Sequence, residues 1–247
     1  MAPGYIGKIL KVDLNKLDYE VIEKDDYFYR TFMGGSAMAS YFLLTEIEPG
    51  IDALGPDNVL VVTTSILTGT PLAGANRYTV AAKSPLNDGF GESESGGFFS
   101  VELKRAGFDA IIIKGKAKKP VYLWITDGKV EIKDASHLWG NDTGFTQEKI
   151  REENGDNKIQ MVSIGQGGEN LVRYACLLQD LRHANGRSGM GAVFGSKNLK
   201  AIAARGKMKL EFHDMDKLRE LSSFFIKNMK EHPVCQVLTE GGTLGWD

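Results

Sequence analysis

The chain has 247 residues, of which 42% are hydrophobic and 25% are charged, and its formal net charge is -2. This composition is typical of a folded soluble domain and excludes an intrinsically disordered chain. The sequence shows no basic tract for a nucleic-acid surface, no run of the roughly 20 apolar residues in a membrane helix, and no signal-peptide core. We therefore expect a cytoplasmic protein without nucleic-acid or membrane partners.

β-strand patterns dominate the chain as far as about residue 207. The predicted strands lie in GKILKVDL, NVLVVTT, RYTVAAKS, DAIIIKGK, PVYLWITDGKVEIKDA and KIQMVSIG. Asp127-Gly128 separates two alternating runs in the fifth segment, as a hairpin turn does. Helical patterns flank Gly34-Gly35 and occupy FTQEKIREEN, which ends before Gly155. The sequence therefore predicts an α+β domain over residues 1–209.

The pattern changes after residue 210, where a one-sided helix is predicted. Its apolar stripe consists of Met215, Leu218, Leu221, Phe225 and Met229. Asp214 or Asp216 is the expected N-cap, and Pro233 is the expected stop, followed by a short frayed or docked tail. We predict that residues 210–247 are the incomplete start of a helical second domain.

Two halves of the chain have the same order of features. DAIIIKGKAK at 109–118 is similar to KAIAARGKMK at 200–209, and each follows a small-residue loop, Ser95-Gly96 or Ser188-Gly189. Arg77-Tyr78 and Arg173-Tyr174 also align in this scheme. Because a solenoid needs at least three repeats, we predict a tandem duplication around a pseudo-twofold axis.

The paired Ser/Gly loops have two interpretations. Such loops let backbone N–H groups approach an anion, so two of them across a twofold axis could bind a ligand with two phosphates. The alternative is that the glycines only form tight turns.

The cysteines and histidines exclude several kinds of site. Cys176 and Cys235 are too few and too far apart for a disulfide scaffold or a local iron-sulfur motif, and each is expected to be a buried apolar residue. The four histidines lack the paired spacing of a metal-binding helix. Any metal is therefore held through oxygen ligands, through a cofactor, or by another chain.

Long colinear blocks resemble one known family. They include GYIGKILKVDL, RYTVAAKSPL, SGGFFSVELKRAGFDAIIIKGKAKKPVYLWI, IGQGGENLVRYA and GRSGMGAVFGSKNLKAI. Over nearly all of residues 4–206 the chain resembles the N-terminal domain of the tungsten-containing aldehyde ferredoxin oxidoreductase family. The resemblance implies a saddle-like base of two related β-sheets. In that family the base carries tungsten or molybdenum held by two pyranopterins, whose phosphates are bridged by magnesium.

The resemblance also implies which residues bind the cofactor. Arg77 matches an arginine that contacts phosphate or pterin. The first cradle is implied to contain Glu94, Ser95, Gly96 and Gly97, and the second His183, Ala184, Gly186, Arg187, Ser188 and Gly189. Glu94 and a carbonyl near Ala184 match the magnesium ligands.

Three positions depart from the family pattern. Glu94 stands where family members usually have Asn, which puts a negative charge beside phosphates and its ligand role in doubt. Arg182-His183 replaces His-Arg, so His183 either hydrogen-bonds the cofactor or only sits in a loop. Gly34-Gly35-Ser36-Ala37 replaces Gly-Gly-Arg-Gly and removes a second arginine.

The resemblance implies oxidation of an aldehyde with water to a carboxylic acid, with electrons passing through a [4Fe-4S] cluster to ferredoxin. The cysteine motifs and acid/base residues of the family's helical domains are not in this sequence, so we assign no catalytic residue here. We expect a truncated or separately encoded part, inactive alone, that needs those domains or a partner subunit for the cluster; a homo-oligomer is left open. The alternatives are a non-catalytic pterin-cofactor carrier, scaffold or degenerate remnant, or a phosphate or nucleotide binder unrelated to tungsten.

Overall fold

The computed structural model describes residues 3–242 and residue 245, and it confirms an α+β fold. The first sheet contains β1 (Lys8–Asp13), β2 (Asp18–Glu23), β3 (Leu60–Thr63), β4 (Tyr78–Lys83), β5 (Phe90–Ser95) and β6 (Ala110–Lys114). The second sheet contains β7 (Val121–Thr126), β8 (Lys129–Asp134), β9 (Gln160–Ser163), β10 (Leu177–Gln179), β11 (His183–Asn185) and β12 (Leu199–Arg205). The two sheets therefore follow each other along the chain.

Eight helices accompany the strands in the described residues. They are α1 (Asp26–Phe32), α2 (Gly35–Glu46), α3 (Phe99–Arg105), α4 (Thr143–Asn154), α5 (Gln166–Glu169), α6 (Met190–Ser196), α7 (Met215–Met229) and α8 (Pro233–Gly241). Capping follows from the sequence: Asp25, Asp142 and Asp214 each accept a hydrogen bond from a backbone N–H in the first turn of α1, α4 and α7. The predicted helices on either side of Gly34-Gly35 are α1 and α2.

The sheet topology repeats, as the duplication predicted. The strand order is β2-β1-β6-β3-β4-β5 in the first sheet and β11-β10-β9-β12-β7-β8 in the second. Strands β1 and β6 pair in parallel, as do β7 and β12, and the remaining neighbours pair antiparallel. Strands β1 to β6 are therefore equivalent, in order, to β7 to β12.

The strand register tests the alignment of the two halves. Ile111 lies opposite Leu10 and Val62, while Ile202 lies opposite Leu123 and Val162. Ile111 and Ile202 are therefore equivalent, which confirms the alignment of 109–118 with 200–209.

The alignment of Arg77-Tyr78 with Arg173-Tyr174 is wrong. Thr79 pairs with Thr63, and Leu178 pairs with Ser163, the equivalent of Thr63. In this register, Cys176-Leu177 is the pair equivalent to Arg77-Tyr78. Tyr174 instead lies before β10 and is 74% exposed, because the connection between β9 and β10 contains α5 and is built differently.

A central core lies between the two sheets and explains why β6 is apolar throughout. Ile111 and Ile113 enter the central core, which also receives Phe99 from α3 and Phe194 from α6. Alternate residues of β6 enter a second cluster under α1 and α2, and α4 covers the outer face of the second sheet through a third cluster. A strand that is buried on both faces reads as a continuous apolar run.

Two local features were not predicted from the sequence. The segments after the Ser/Gly loops form the seven-residue helices α3 and α6. Pro233 does not only stop α7; it begins α8, since proline lacks the N–H that the first turn of a helix leaves unpaired. The described part of the tail is therefore largely helical, while residues 243, 244, 246 and 247 of the predicted tail lie outside the described residues.

Helix α7 packs loosely against the rest of the chain. Of its predicted apolar stripe, Met215, Leu218 and Met229 are half-buried, whereas Leu221 and Phe225 are 49% and 45% exposed. The hydroxyl of Ser222 donates to the carbonyl of Pro71 at 3.0 Å. The boundary of a second domain near residue 210 stays a prediction.

The cysteines are free, and the expectation that both are buried is wrong. Cys176 is exposed because it precedes the short edge-proximal strand β10, and Cys235 on α8 is half-buried. In the described part of the chain, no helix combines the length and the apolar character required to cross a bilayer.

Lys197 joins the two repeats through the interior. It follows α6 and is fully buried, and its Nζ donates to the carbonyls of Asn58 and Gly115 in the first repeat. Burial lowers the pKa of Lys197 to about 8, with the Asp57 charge acting in the opposite direction.

This lowered pKa predicts a pH-dependent stability. Between pH 8 and the ordinary lysine pKa of 10.5, the unfolded chain binds a proton that folded Lys197 has released, so folding becomes more favourable as pH rises. The free energy of unfolding of wild type relative to Lys197→Met should increase by about 2 kcal/mol between about pH 7.5 and about pH 10. Urea denaturation of wild type and Lys197→Met at both pH values measures this difference in the free energy of unfolding. Lys129→Met, at an exposed position, is the control, and a difference that does not vary with pH contradicts the prediction.

Candidate functional site

The inner edge strands of the two sheets, β5 and β11, meet at what we call the seam. Asn185 Nδ2 donates to the carbonyl of Ser93 at 2.8 Å, and Ser188 Oγ donates to the carbonyl of Glu92 at 3.1 Å. The backbone N–H of Arg187 donates to Ser93 Oγ at 3.2 Å. Because an unpaired strand edge has exposed backbone groups, these bonds satisfy two carbonyls of β5 and the N–H of Arg187, which follows β11.

The register places two predicted site residues in equivalent positions. Glu94 lies opposite Thr79, and Ala184 lies opposite Leu178, the equivalent of Thr79. Glu94 and Ala184, the two implied magnesium ligands, are therefore related by the pseudo-twofold symmetry. Ser95 is in turn equivalent to Asn185.

The aligned loops of the prediction are therefore shifted. Ser95-Gly96 is equivalent to Asn185-Gly186, not to Ser188-Gly189. The first loop, Gly96–Phe98, connects β5 to α3, and the second loop, Gly186–Gly189, connects β11 to α6 with one more residue. The sequence alignment matched the two Ser-Gly pairs by residue type and was therefore displaced by three positions in the second half.

An open cleft of about 560 Å³ lies at the seam, and we call it the seam cleft. It is lined by Arg77, Glu92, Ser93, Glu94, Ala184, Gly186 and Arg187. Five of these seven were implied by the family resemblance. The structure therefore brings residues from both halves to one place, although their binding role stays a prediction.

The remaining implied residues flank the seam cleft. Ser95 is buried at the end of β5, and Gly96 and Gly97 follow it in the first loop. His183 is half-buried on β11, near Gly96: a Cβ added to Gly96 would lie 3.7 Å from its Cδ2. Ser188 and Gly189 occupy the end of the second loop.

Sequence reasoning missed four seam residues. They are Ser84, Glu92, Ser93 and Asn185, of which Ser84 donates through Oγ to the carbonyl of Ser188 at 2.9 Å. The signal for Glu92 and Ser93 was the alternation in FGESES, where Glu92 and Glu94 face one side and the buried Ser93 and Ser95 face the other. Because β5 is polar on both faces, its sequence lacks the apolar alternation from which a strand is normally predicted.

Charges in the seam cleft balance. Arg77 Nε lies 3.0 Å from Glu94 Oε2, and Thr79 Oγ1 donates to Glu94 Oε1 at 3.4 Å. Arg187 is exposed and forms no ion pair within the described residues. The guanidinium of Arg187 is therefore available for an anion, whereas that of Arg77 is occupied by Glu94.

Metal-binding clusters of side chains are absent from the described residues. No group of three or more His, Cys, Asp or Glu side chains is arranged to bind a metal ion there. A hard cation in the seam cleft therefore depends on backbone carbonyls, on the Glu94 carboxylate and on oxygens of the ligand itself, which are the ligands that magnesium prefers.

Buried polar atoms without partners concentrate at the seam. Six of the seven such side-chain atoms in the described chain belong to Tyr78, Glu92, Ser95, Gln179, His183 and Asn185, all on β4, β5, β10 or β11. Each unpaired buried group costs about 1–3 kcal/mol, so a cluster of them marks a place that is completed by a ligand or by water. Burial also raises the pKa of the Tyr78 phenol, while a weak interaction with the Ser95 hydroxyl, outside full hydrogen-bond geometry, acts in the opposite direction.

The family is shown by comparison with known proteins. The family described as aldehyde ferredoxin oxidoreductase, N-terminal domain, matches residues 9–206. The chain belongs to this family.

Particular relatives agree with that assignment. The chain is 42% identical over 231 residues to the tungsten-containing aldehyde ferredoxin oxidoreductase of Pyrococcus furiosus and 45% identical to that of Pyrococcus abyssi. It is also 37% identical to an aliphatic sulfonate oxidoreductase, WOR-like subunit, of Pyrococcus furiosus. The first two alignments cover 94% of this chain but 38% of each relative.

A solved structure shows the same fold. The active-site complex BamBC of benzoyl coenzyme A reductase, solved with 1,5-dienoyl-CoA, matches with a TM-score of 0.90 and 36% identity. The match covers 94% of this chain and 35% of that chain. The relatives are oxidoreductases, and this chain corresponds to their N-terminal part.

The second loop depends on glycine at one position. Gly189 has φ +72°, and a Cβ there would lie 2.0 Å from the carbonyl oxygen of Arg173. A Cβ on Gly186 would meet no atom within 4 Å. We expect Gly189→Ala to lower the free energy of unfolding by at least about 2 kcal/mol, and Gly186→Ala to leave it unchanged or raise it by about 0.5 kcal/mol. Urea denaturation of the two variants measures this; equal effects would show that the approach to Arg173 is not limiting.

Proposed function

We propose that this chain is the cofactor-binding base of an oxidoreductase of the aldehyde ferredoxin oxidoreductase type, and that it binds a tungsten or molybdenum bis-pyranopterin. The observation that carries the proposal is the equivalence of Glu94 and Ala184 at a single cleft on the pseudo-twofold axis. A ligand with two similar halves suits such a site. The curated relatives named as tungsten-containing enzymes support the choice of metal.

The residues of the seam cleft fit the phosphate end of such a cofactor. The exposed guanidinium of Arg187 is a planar donor suited to phosphate oxygens. The glycine loops, Gly96–Phe98 and Gly186–Gly189, let backbone groups come close to the ligand. Ala184 would supply a carbonyl oxygen to magnesium between the phosphates.

Glu94 fits this scheme through an exchange of partners. Its ion pair with Arg77 joins two half-exposed side chains, and such pairs contribute little stability. Glu94 turning to magnesium would release Arg77 to a phosphate. With Glu in place of the family's Asn, the Glu94 carboxylate would thereby bind magnesium and the Arg77 guanidinium would bind a phosphate.

In the proposed reaction, the bound metal supplies two-electron oxidation of an aldehyde with water to a carboxylic acid. The part of this chain is to bind the cofactor, orient it and balance its phosphate charge through Arg77, Arg187 and magnesium. No residue of this chain is proposed as the acid or base.

Further polypeptide is part of the proposal. Helices α7 and α8 have several exposed apolar side chains, among them Leu221, Phe224, Ile226, Val234 and Leu238. Such a surface fits a protein interface. We propose that helical domains or a partner subunit cover it, contribute a [4Fe-4S] cluster and pass electrons to ferredoxin.

Two observations favour the alternative of a non-catalytic carrier or remnant. Arg77 is occupied by Glu94, and Ser36 stands where the family has a further arginine. A remnant would bind a pterin weakly or not at all, whereas a carrier would still bind it.

The cofactor content of purified protein tests the proposal. Chain produced anaerobically with tungstate or molybdate should contain tungsten or molybdenum, magnesium and two pterins per metal, measured by mass spectrometry of the metals and fluorescence of the oxidised pterin. Arg187→Gln should lose the cofactor about tenfold faster because a charge-assisted phosphate contact is removed. Arg30→Gln, on α1, is the control. A wild-type chain without metal and pterin, even with its partner domains, contradicts the proposal.

A further inference from the structure

Gln179 connects the second repeat to the first loop. It lies on β10 and is fully buried. Gly97 has φ +92°, and a Cβ added to it would lie 2.3 to 2.6 Å from the Nε2, Oε1 and Cδ atoms of Gln179. The carboxamide of Gln179 is therefore packed directly on the backbone of Gly97.

This contact breaks the symmetry between the repeats. Gln179 pairs with Val162 and His183, while Val80 pairs with Val62 and Ser93. Gln179 is therefore equivalent to Val80, a fully buried member of the central core. The second repeat has a carboxamide where the first has an aliphatic side chain, although burying an amide is costly unless it is fully hydrogen-bonded.

The carboxamide is only half satisfied. Gln179 Nε2 donates to Asp180 Oδ2 at 2.5 Å, and Asp180 lies 3.7 Å from Arg151 Nη2. Gln179 Oε1 has no hydrogen-bond partner among the described residues. The orientation of the carboxamide is thus fixed from the second repeat, and its free oxygen lies beside the first loop.

Two buried hydroxyls lie close to this point. Tyr78 and Ser95 are directly opposite each other on β4 and β5; their hydroxyls interact weakly with each other, and neither has a further hydrogen-bond partner in the described structure. Ser95 directly precedes the first loop, Gly96–Phe98. The loop therefore lies beside polar groups that the described chain satisfies incompletely, which is the arrangement expected where a bound ligand completes the hydrogen bonding.

We propose that Gln179 is a positioning residue, which holds the first loop in the conformation that receives the cofactor and joins cofactor binding to the order of that loop. This proposal rests on the proposed function. Gln179 does not belong to the seam cleft lining and acts through Gly97. A side chain from one repeat thereby sets the binding loop of the other.

Hydrogen exchange of the first loop tests the proposal without any enzyme assay. In the cofactor-free chain, Gln179→Met, which keeps the length but removes the carboxamide, should speed amide exchange in a peptide spanning residues 95–99 about tenfold. Gln179→Val, the residue found at the equivalent position, should have the same effect and guards against a folding defect of the first variant. Val62→Ala, at a fully buried position on β3 that is not in contact with Gly97 in the strand register, is the control for general destabilisation.

The loaded chain provides a second measurement. Wild type should gain exchange protection in residues 95–99 on loading, while Gln179→Met should gain little and should release pterin several-fold faster. Val62→Ala should gain protection as wild type does, because general destabilisation leaves the contact with Gly97 in place. Unchanged exchange at 95–99 in both Gln179 variants overturns this inference. Absence of cofactor from the wild type overturns the proposed function instead, so the two failures are distinguishable.

Discussion

The seam between β5 and β11 is the constraint on which the structure depends. Backbone groups at a strand edge must be satisfied where two sheets meet. Here the side chains of Asn185 and Ser188 donate to the β5 carbonyls of Ser93 and Glu92, and the Arg187 N–H donates to Ser93 Oγ. The shared central core then fixes the sheets face to face. The loops that leave the seam, Gly96–Phe98 and Gly186–Gly189, are consequently held near the pseudo-twofold axis.

Duplication explains the position of the site, and departures from symmetry explain its chemistry. Equivalent strands bring Glu94 and Ala184 to one cleft, but one is a carboxylate and the other offers only its backbone. Cys176 stands where the first repeat has Arg77. Gln179 stands where it has Val80. A duplicated domain thus provides the frame, and each half contributes different groups to a ligand that would span both.

The sequence predicted much of the fold for a physical reason. Strands such as β6 and β12 are apolar and almost entirely buried, so their pattern and alignment are strong. It failed at β5, where FGESES is polar because one face lines the cleft and the other meets the second sheet. It also failed at α3 and α6, whose seven residues are too short to show a helical period.

The sequence by itself determined the family, the α+β class, the duplication and most residues of the cleft, because long colinear blocks and buried strands are encoded locally. The tertiary structure decided which residues are equivalent and which face each other. Matching Ser-Gly with Ser-Gly by residue type displaced the sequence alignment by three positions, whereas the hydrogen-bonded register aligned Ser95 with Asn185. The tertiary structure also placed Gln179 against Gly97 and paired Arg77 with Glu94. Contacts between distant segments of this kind depend on packing rather than on local sequence pattern.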